Sequence, residues 1–136
     1  MSFFVKQVLF SEANGVVLNQ GKPLAGIEVT RKYTDEDSHE ETVKTNKDGR
    51  FHFPKATNTL FFELSFLPSE VVVSQEILIK YEDKTYDAWI SGKRNYEDGG
   101  EIGKKIINII CDLSNEPKYK EFSKGEGVYG ICIIEL

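Results

Sequence analysis

Short runs of β-branched and aromatic residues recur along this chain between clusters of Gly, Asn, Asp and Pro, while helical periodicity is almost absent. This spacing is typical of a β-sandwich or a β-barrel, and it constrains the fold more than any other feature. The clearest case is Ile27–Tyr33, where Ile27, Val29 and Tyr33 alternate with polar residues. We therefore predict an all-β protein whose strands bury one face and expose the other.

The remaining strands are predicted from the same pattern. They are Phe3–Phe10, Gly15–Leu18, Glu41–Thr45, Arg50–Phe53, Thr59–Phe66, a hairpin over Glu76–Ile90 that turns at Glu82–Lys84, and the two Cys-bearing runs "IINIICDL" and "VYGICIIEL". Leu67–Gln75 fits less well, because Pro68 cannot donate a hydrogen bond within a central strand. With 136 residues and no linker or repeat, the chain is predicted to be a single domain spanning 1–136.

The stretch Asn46–Pro54, "NKDGRFHFP", reads as the corner of a hairpin. Asn46 is predicted to cap a type I turn, and Gly49 to take the left-handed conformation. Counting outward by alternation, the two phenylalanines face the core, whereas His52 points away from it and Asp48 sits at the tip. We therefore expect Asp48 and His52 not to converge on a ligand. Because the left-handed conformation is strained for a β-branched residue, Gly49→Val should destabilise the fold by about 1 kcal/mol or more.

The segments "GVVLNQGKPLAGIEVTR" and "TNKDGRFHFP" resemble the carboxypeptidase regulatory-domain-like group. The resemblance implies a transthyretin-like β-sandwich of about seven strands with Greek-key connections, and it covers Gly15–Pro54. The matching positions are Gly15, Val17, Gly21, Pro23, Leu24, Gly26, Ile27, Val29, Thr45, Gly49, Phe51 and Phe53. These motifs are structural rather than catalytic, so they indicate the fold and not an activity. The part of the chain after them looks like a C-terminal elaboration of that fold.

The acidic balance of the chain disfavours nucleic acid and suits a basic partner. The formal net charge is -5, whereas phosphate binding relies on clustered Lys and Arg. The segment Asp35–Glu41, "DEDSHEE", holds five carboxylates, and "YEDGGE", Tyr96–Glu101, holds three more. Such runs form either solvated loops or an acidic binding patch, and the sequence leaves both readings open.

Nothing in the sequence predicts export or a membrane partner. The apolar start "MSFFVKQVLF" is interrupted by Lys6 and lacks a cleavage site, and no run reaches the length of about 18 apolar residues that a bilayer requires. We therefore predict a cytoplasmic location. In that compartment Cys111 and Cys132 are expected to be buried thiols. The alternative is a disulfide, which requires that their strands are neighbours and that the protein meets an oxidising space.

No catalytic residue, metal ligand or cofactor site is predicted. Hydroxyisourate hydrolases share the transthyretin-like architecture and end in Tyr-Arg-Gly-Ser, but this chain ends in "ICIIEL". Its His and Cys spacings do not suit zinc, and it contains neither a calcium loop, a Walker loop nor a G-x-S-x-G elbow. Weak binding of a cation by "DEDSHEE" is the one metal alternative.

Protein recognition is the function that this reasoning leaves. Trp, Arg and Tyr are enriched at binding hot spots, and "WISGKRNY" supplies all three, although Trp89 filling the core is the alternative. The predicted partner-binding residues are Asp35, Glu36, Asp37, Glu40, Glu41, Trp89, Lys93, Arg94 and Tyr96. We predict a bacterial immunity-type protein that neutralises a toxin with a basic surface. The alternatives are a carbohydrate-binding or adhesive module that presents Trp89 or Tyr96 to a sugar, and an unrecognised hydrolase.

Overall fold

The computed structural model describes residues 2–63, 72–123 and 126–136, and it describes side chains for 6–58, 72–123 and 126–136. These residues form thirteen β-strands and no helix, so they contain no helix that is long and apolar enough to cross a bilayer. The strands are β1 (Ser2–Phe10), β2 (Glu12–Asn19), β3 (Lys22–Pro23), β4 (Glu28–Thr34), β5 (Ser38–Lys44), β6 (Arg50–Phe53), β7 (Ala56–Glu63), β8 (Val73–Tyr81), β9 (Lys84–Lys93), β10 (Ile106–Asp112), β11 (Lys118–Ser123), β12 (Glu126–Gly130) and β13 (Ile133–Glu135). The all-β prediction is confirmed.

The observed strand boundaries agree with the predicted ones for some strands and differ for others. The bounds of β6 are those predicted, and the β8–β9 hairpin turns at Glu82 and Asp83 as expected. However, β8 already begins at Val73, and β11 was missed because nearly all its side chains are exposed and show no apolar alternation. The predicted strand Thr59–Phe66 corresponds to β7 as far as Glu63, and its end lies outside the described residues, as does most of Leu67–Gln75.

The strands form three sheets. The largest has the order β11-β12-β9-β8-β4-β5, with antiparallel neighbours throughout. The second has the order β13-β10-β2-β3, with β6 also paired to β2, and β10 runs parallel to β2. The third contains β1 and β7. The described residues therefore hold more strands than the seven or so that were expected.

The number of strands exceeds seven partly because one bent pair of strands is divided into four at its corner. Only Ser11 separates β1 from β2, and only Pro54 and Lys55 separate β6 from β7. Both breaks fall at the same level, because Phe10 pairs with Ala56 on one side and Ala13 pairs with Phe53 on the other. The pair β1–β7 thus continues the pair β2–β6 after a shared corner at Ser11 and Pro54–Lys55.

The core lies between the two larger sheets, in a sandwich-like arrangement. It contains fully buried side chains from the five-stranded sheet, such as Val17, Phe53 and Ile107, and from the six-stranded sheet, such as Ile77 and Trp89. Alternation along β4 buries every second residue, as predicted. Apolar burial from both sheets is the main stabilising contribution, at about 25 cal/mol per Å² of apolar surface.

The turn at Asn46–Gly49 has the predicted local geometry, but the strands it joins do not form the predicted hairpin, because β5 pairs with β4 in the six-stranded sheet and β6 pairs with β2 in the five-stranded sheet. The Asn46 side-chain oxygen accepts hydrogen bonds from the backbone N–H groups of Asp48 and Arg50, each at 2.9 Å. Gly49 has a φ of 77°, in the left-handed region, and its N–H donates to the Asn46 carbonyl at 3.0 Å. The phenylalanines on β6 are buried, whereas Arg50 and His52 are exposed. The predicted turn and the predicted alternation are therefore confirmed, and the turn carries the chain from one large sheet to the other.

Replacing Gly49 with alanine is expected to destabilise the fold by about 2 kcal/mol. A Cβ at this position would meet the Val17 carbonyl oxygen at 2.7 Å, in addition to the strain of a positive φ. Gly103→Ala is a matched control, because Gly103 has a φ of 80° and open space where its Cβ would lie. This variant should therefore lose only about 1 kcal/mol of free energy of unfolding. Urea unfolding of both variants measures the difference, and equal losses would contradict the proposed clash.

The expectation of free thiols was wrong, because Cys111 and Cys132 form a disulfide. Cys111 is on β10, and Cys132 directly precedes β13, which pairs antiparallel with β10. The register places Ile110 opposite Ile133, so the two cysteines face each other on neighbouring strands. One of the two conditions for the alternative prediction, neighbouring strands, is therefore met, and the other is an oxidising space.

The end of β10 is also fastened by Asp112. Its carboxylate accepts hydrogen bonds from the backbone N–H groups of Gln20 and Gly21 and from the Ser114 hydroxyl. Burial raises the pKa of this carboxyl group, but the hydrogen bonds outweigh that effect and lower the pKa to about 2. Asp112 therefore stays ionised and connects β10 to the β2–β3 turn.

Candidate functional site

The acidic run Asp35–Glu41 forms the loop and much of the second strand of the β4–β5 hairpin. Glu36 and Asp37 are exposed in the loop, and Glu40 is exposed on β5, where its carboxylate lies 3.9 Å from the Lys32 ammonium. In the described part of the chain, β5 is the last strand of the six-stranded sheet. The hairpin thus presents carboxylates along a sheet edge, and charge on an edge discourages pairing with a second copy of the same strand.

Glu41, in contrast, is occupied within the protein. Its carboxylate accepts a hydrogen bond from Arg31 Nη2 at 2.8 Å and another from the Tyr33 hydroxyl at 3.0 Å. Burial raises the pKa of Tyr33, and the bond to Glu41 raises it further. Glu41 was predicted to contact a partner, but its carboxylate is bound by Arg31 and Tyr33 and therefore has a structural role.

The Arg31 side chain is fully buried, which the sequence analysis did not anticipate. Its guanidinium lies 5.0 Å from the ring centroids of Phe10 and Phe53 and 5.4 Å from that of Tyr33. Burial lowers the pKa of Arg31, while the charge of Glu41 raises it. A guanidinium in this position is compensated by one carboxylate and three aromatic faces.

Tyr96 joins the two acidic runs. Its hydroxyl donates to the Asp35 carboxylate, with 3.2 Å to each oxygen, across 61 positions of sequence. Burial raises the pKa of Tyr96, and the negative charge of Asp35 adds to the effect. Beside Tyr96, Glu97 is exposed and Asp98 pairs with Lys55 at 3.3 Å. We call the surface formed by 35–37, Glu40 and 97–98 the acidic end.

Two of the predicted partner-binding residues are not on the surface. Trp89 is 0% exposed, and its indole N–H donates to the Gln75 side-chain oxygen at 3.1 Å. Lys93 is 2% exposed, and its ammonium donates to the carbonyl oxygens of Val8 and Glu97 at 2.8 and 2.5 Å. Burial lowers the pKa of Lys93, and the nearby carboxylates oppose that shift. Assigning these two side chains to a partner was wrong, whereas Arg94 is exposed.

The segment after Trp89 fastens the shared corner of the bent strand pair. The Glu101 carboxylate accepts from the Ser11 N–H at 2.8 Å, from the Ser11 hydroxyl at 2.6 Å and from the Gln75 amide at 2.9 Å. The Ser11 hydroxyl oxygen in turn accepts from the Gly99 N–H at 2.9 Å. We call Ser11, Gln75, Trp89 and Glu101 the corner network, and it gives part of the predicted binding loop a structural role.

The two histidines lie on different sheets, His39 on β5 and His52 on β6. His39 is exposed and stacks on Tyr33 at 5.1 Å between ring centroids, while His52 Nδ1 lies 2.5 Å from Asn14 Oδ1 on the outer face of the other sheet. Asp48 remains at the turn tip, as predicted. Within the described ranges, no three His, Cys, Asp or Glu side chains are grouped to hold a metal ion.

Sequence reasoning missed the corner network and the Arg31 site. Ser11 and Glu101 are 90 positions apart, so no local pattern connects them. A usable signal did exist at Arg31, because strict alternation from Val29 to Tyr33 places it on the buried face. An arginine on a buried face requires a carboxylate partner, and the neighbouring acidic run contains one.

Comparison with known proteins gives one result. A family model described as a domain of unknown function, DUF6795, matches residues 13–116. The match spans the acidic end and most of the corner network, whereas β11–β13 lie beyond it. No similar curated protein and no similar solved structure was found. Because the matched segment covers well over half of the sequence, this chain belongs to the DUF6795 family.

Proposed function

We propose that the protein acts without catalysis, by binding a basic protein surface at its acidic end. The observation that carries this proposal is the contact between Tyr96 and Asp35, which brings two acidic runs together on one side of the molecule. Glu36, Asp37, Glu40 and Glu97 are exposed around it. Complementary charge of this kind speeds association and sets partner choice more than it adds raw affinity.

A toxin whose basic active-site cleft is masked by these carboxylates is the partner class that fits best. The edge position of β5 adds a second means of attachment, because an extended segment of a partner can pair with an edge strand. Arg94 and Tyr96 border the same surface, and they are the members of the predicted aromatic and arginine set that remain near solvent. The sugar-binding alternative loses its main platform, since Trp89 is enclosed in the core.

The test is affinity capture followed by measured binding. Tagged protein is used to capture partners from its source, and the affinity of any partner with a basic face is then measured at about 0.15 M ionic strength. The triple variant Glu36→Lys, Asp37→Lys, Glu40→Lys should weaken binding at least tenfold, chiefly through slower association.

The matched control is Glu82→Lys, Asp83→Lys, Asp87→Lys. It changes the net charge equally, and the strand register places the β8–β9 turn at the opposite end of the six-stranded sheet from the β4–β5 loop. The control should bind like the unmodified protein. Equal weakening by both variants would indicate a nonspecific charge effect, and capture of no partner with a basic face would contradict the proposal.

The finer fold assignment is also a proposal. We propose that the two larger sheets correspond to a transthyretin-like Greek-key sandwich, on the basis of the motifs in Gly15–Pro54. The confirmed turn at Gly49 and the burial of Phe51 and Phe53 support it. A solved structure whose strand connections differ from that topology would contradict it.

The location predicted from the sequence likewise remains a proposal. A cytoplasmic protein is expected to keep its thiols reduced, whereas the disulfide between Cys111 and Cys132 favours an oxidising compartment. Thiol titration of protein taken directly from its source distinguishes the two compartments, because a reducing compartment leaves both cysteines free.

A further inference from the structure

A cleft of about 420 Å³ opens where the chain crosses from one large sheet to the other. β12 belongs to the six-stranded sheet and β13 to the five-stranded sheet, so residues 131 and 132 bridge the two. The edge strand β11 forms one wall of the cleft, and the segment that carries Cys132 forms another. The volume lies within the range of about 300–1,000 Å³ that is usual for small-molecule sites.

The inner part of the cleft is apolar. Its lining includes Ala88, Val128, Ile131 and Ile134, side chains that also belong to the buried core. Gly130 lies against β9 so closely that a Cβ there would clash with the Ala88 carbonyl oxygen. The lack of a side chain at this point lets the end of β12 pack directly against the β9 backbone beside the cleft.

Two lysines stand at the mouth of the cleft. Lys120 lies opposite the buried Val128 in the β11–β12 register, and Lys118 lies opposite Gly130, so both project on the core side of this edge strand. Within the described residues neither forms an ion pair, and the Lys120 ammonium rests 5.3 Å from the Phe122 ring centroid. Glu116 also lines the cleft, so the lysines leave an excess of one positive charge there.

We propose that this cleft binds a free amphipathic carboxylate, such as a medium-chain fatty acid. The apolar chain lies between the sheets against Val128, Ile131 and Ile134, and the carboxylate lies at the mouth between the two ammonium groups. An apolar interior with a cationic rim complements this ligand class in both parts. The cleft shares no residue with the acidic end, so this site is independent of the function proposed above.

The experiment is a titration of the oxidised protein with decanoate, octanoate and decanol, monitored by NMR and calorimetry. Decanoate should bind about tenfold more tightly than octanoate, because each buried methylene adds to the affinity. Resonances of residues 115–120 and 128–134 should shift, while those of the acidic end should not.

The variant pair Lys118→Gln, Lys120→Gln should weaken decanoate about tenfold and leave decanol unchanged. Lys104→Gln, Lys105→Gln is the matched control, since these lysines are exposed and do not line the cleft. Absence of saturable decanoate binding, resonance shifts that map elsewhere, or equal affinity in both lysine variants would each overturn the proposal.

Discussion

Replacing Glu101 with alanine is expected to lower the free energy of unfolding by about 3 kcal/mol. The substitution removes the acceptor for the Ser11 N–H, the Ser11 hydroxyl and the Gln75 amide together. Ser11 and Gln75 are fully buried, so their donors would be left without their partner at the junction of β1 and β2. A buried donor without an acceptor costs about 1–3 kcal/mol.

The consequences should spread beyond these three bonds. The Gln75 side chain also holds the Trp89 indole N–H and donates to the Leu9 carbonyl, so a displaced Gln75 disturbs the packing of the largest buried side chain. Lys93 would lose one of the carboxylates that offset its burial. Trp89 fluorescence should therefore shift to the red in the folded variant.

Two variants serve as controls for this prediction. Glu97→Ala removes a carboxylate from the same segment, but it leaves intact the backbone carbonyl that binds Lys93, so its effect should stay within about 0.5 kcal/mol. Glu101→Gln keeps the shape and one acceptor oxygen, and its loss should fall between the two. Urea unfolding measures all three, and a Glu101→Ala variant as stable as Glu97→Ala would refute the role of the corner network.

Local chemistry was enough to predict the parts of the fold that depend on neighbours in sequence. The turn at Asn46–Gly49 follows from a side-chain acceptor and a left-handed glycine a few residues apart. The alternation along β4 and β6 follows from the two-residue repeat of a strand. These features need no knowledge of the rest of the chain.

The candidate site was harder to predict from the sequence, because its contacts join residues that are far apart in the chain. The two acidic runs can be recognised in the sequence from their residue types. Their proximity in space cannot, because it depends on a hydrogen bond from Tyr96 to Asp35 that forms only in the folded chain. Trp89 illustrates the same limit, since its residue type suits both a hot spot and a core. Gln75, 14 positions earlier on the paired strand, accepts the indole hydrogen bond and makes the buried position tolerable.

Removing the disulfide by the double substitution Cys111→Ala, Cys132→Ala is expected to cost about 3 kcal/mol in the oxidised protein. The bond closes a loop with a sequence separation of 21, and a cross-link of that span restricts the unfolded chain by roughly this amount. It also connects β10 to the short strand β13, whose ladder contains only three residue pairs. β13 should therefore exchange its backbone amide protons much faster in the variant.

Reductant separates the effect of the bond from that of the missing sulfur atoms. A reducing agent should lower the melting temperature of the unmodified protein towards that of the double variant and leave the variant unchanged. Any difference that remains between the reduced protein and the variant measures the packing of the Cys111 side chain, which is fully buried. Thiol titration of the denatured, unreduced protein should find neither cysteine free. Two free thiols in protein taken directly from its source, together with a melting temperature that does not respond to reductant, would contradict the disulfide and restore the case for a reducing compartment.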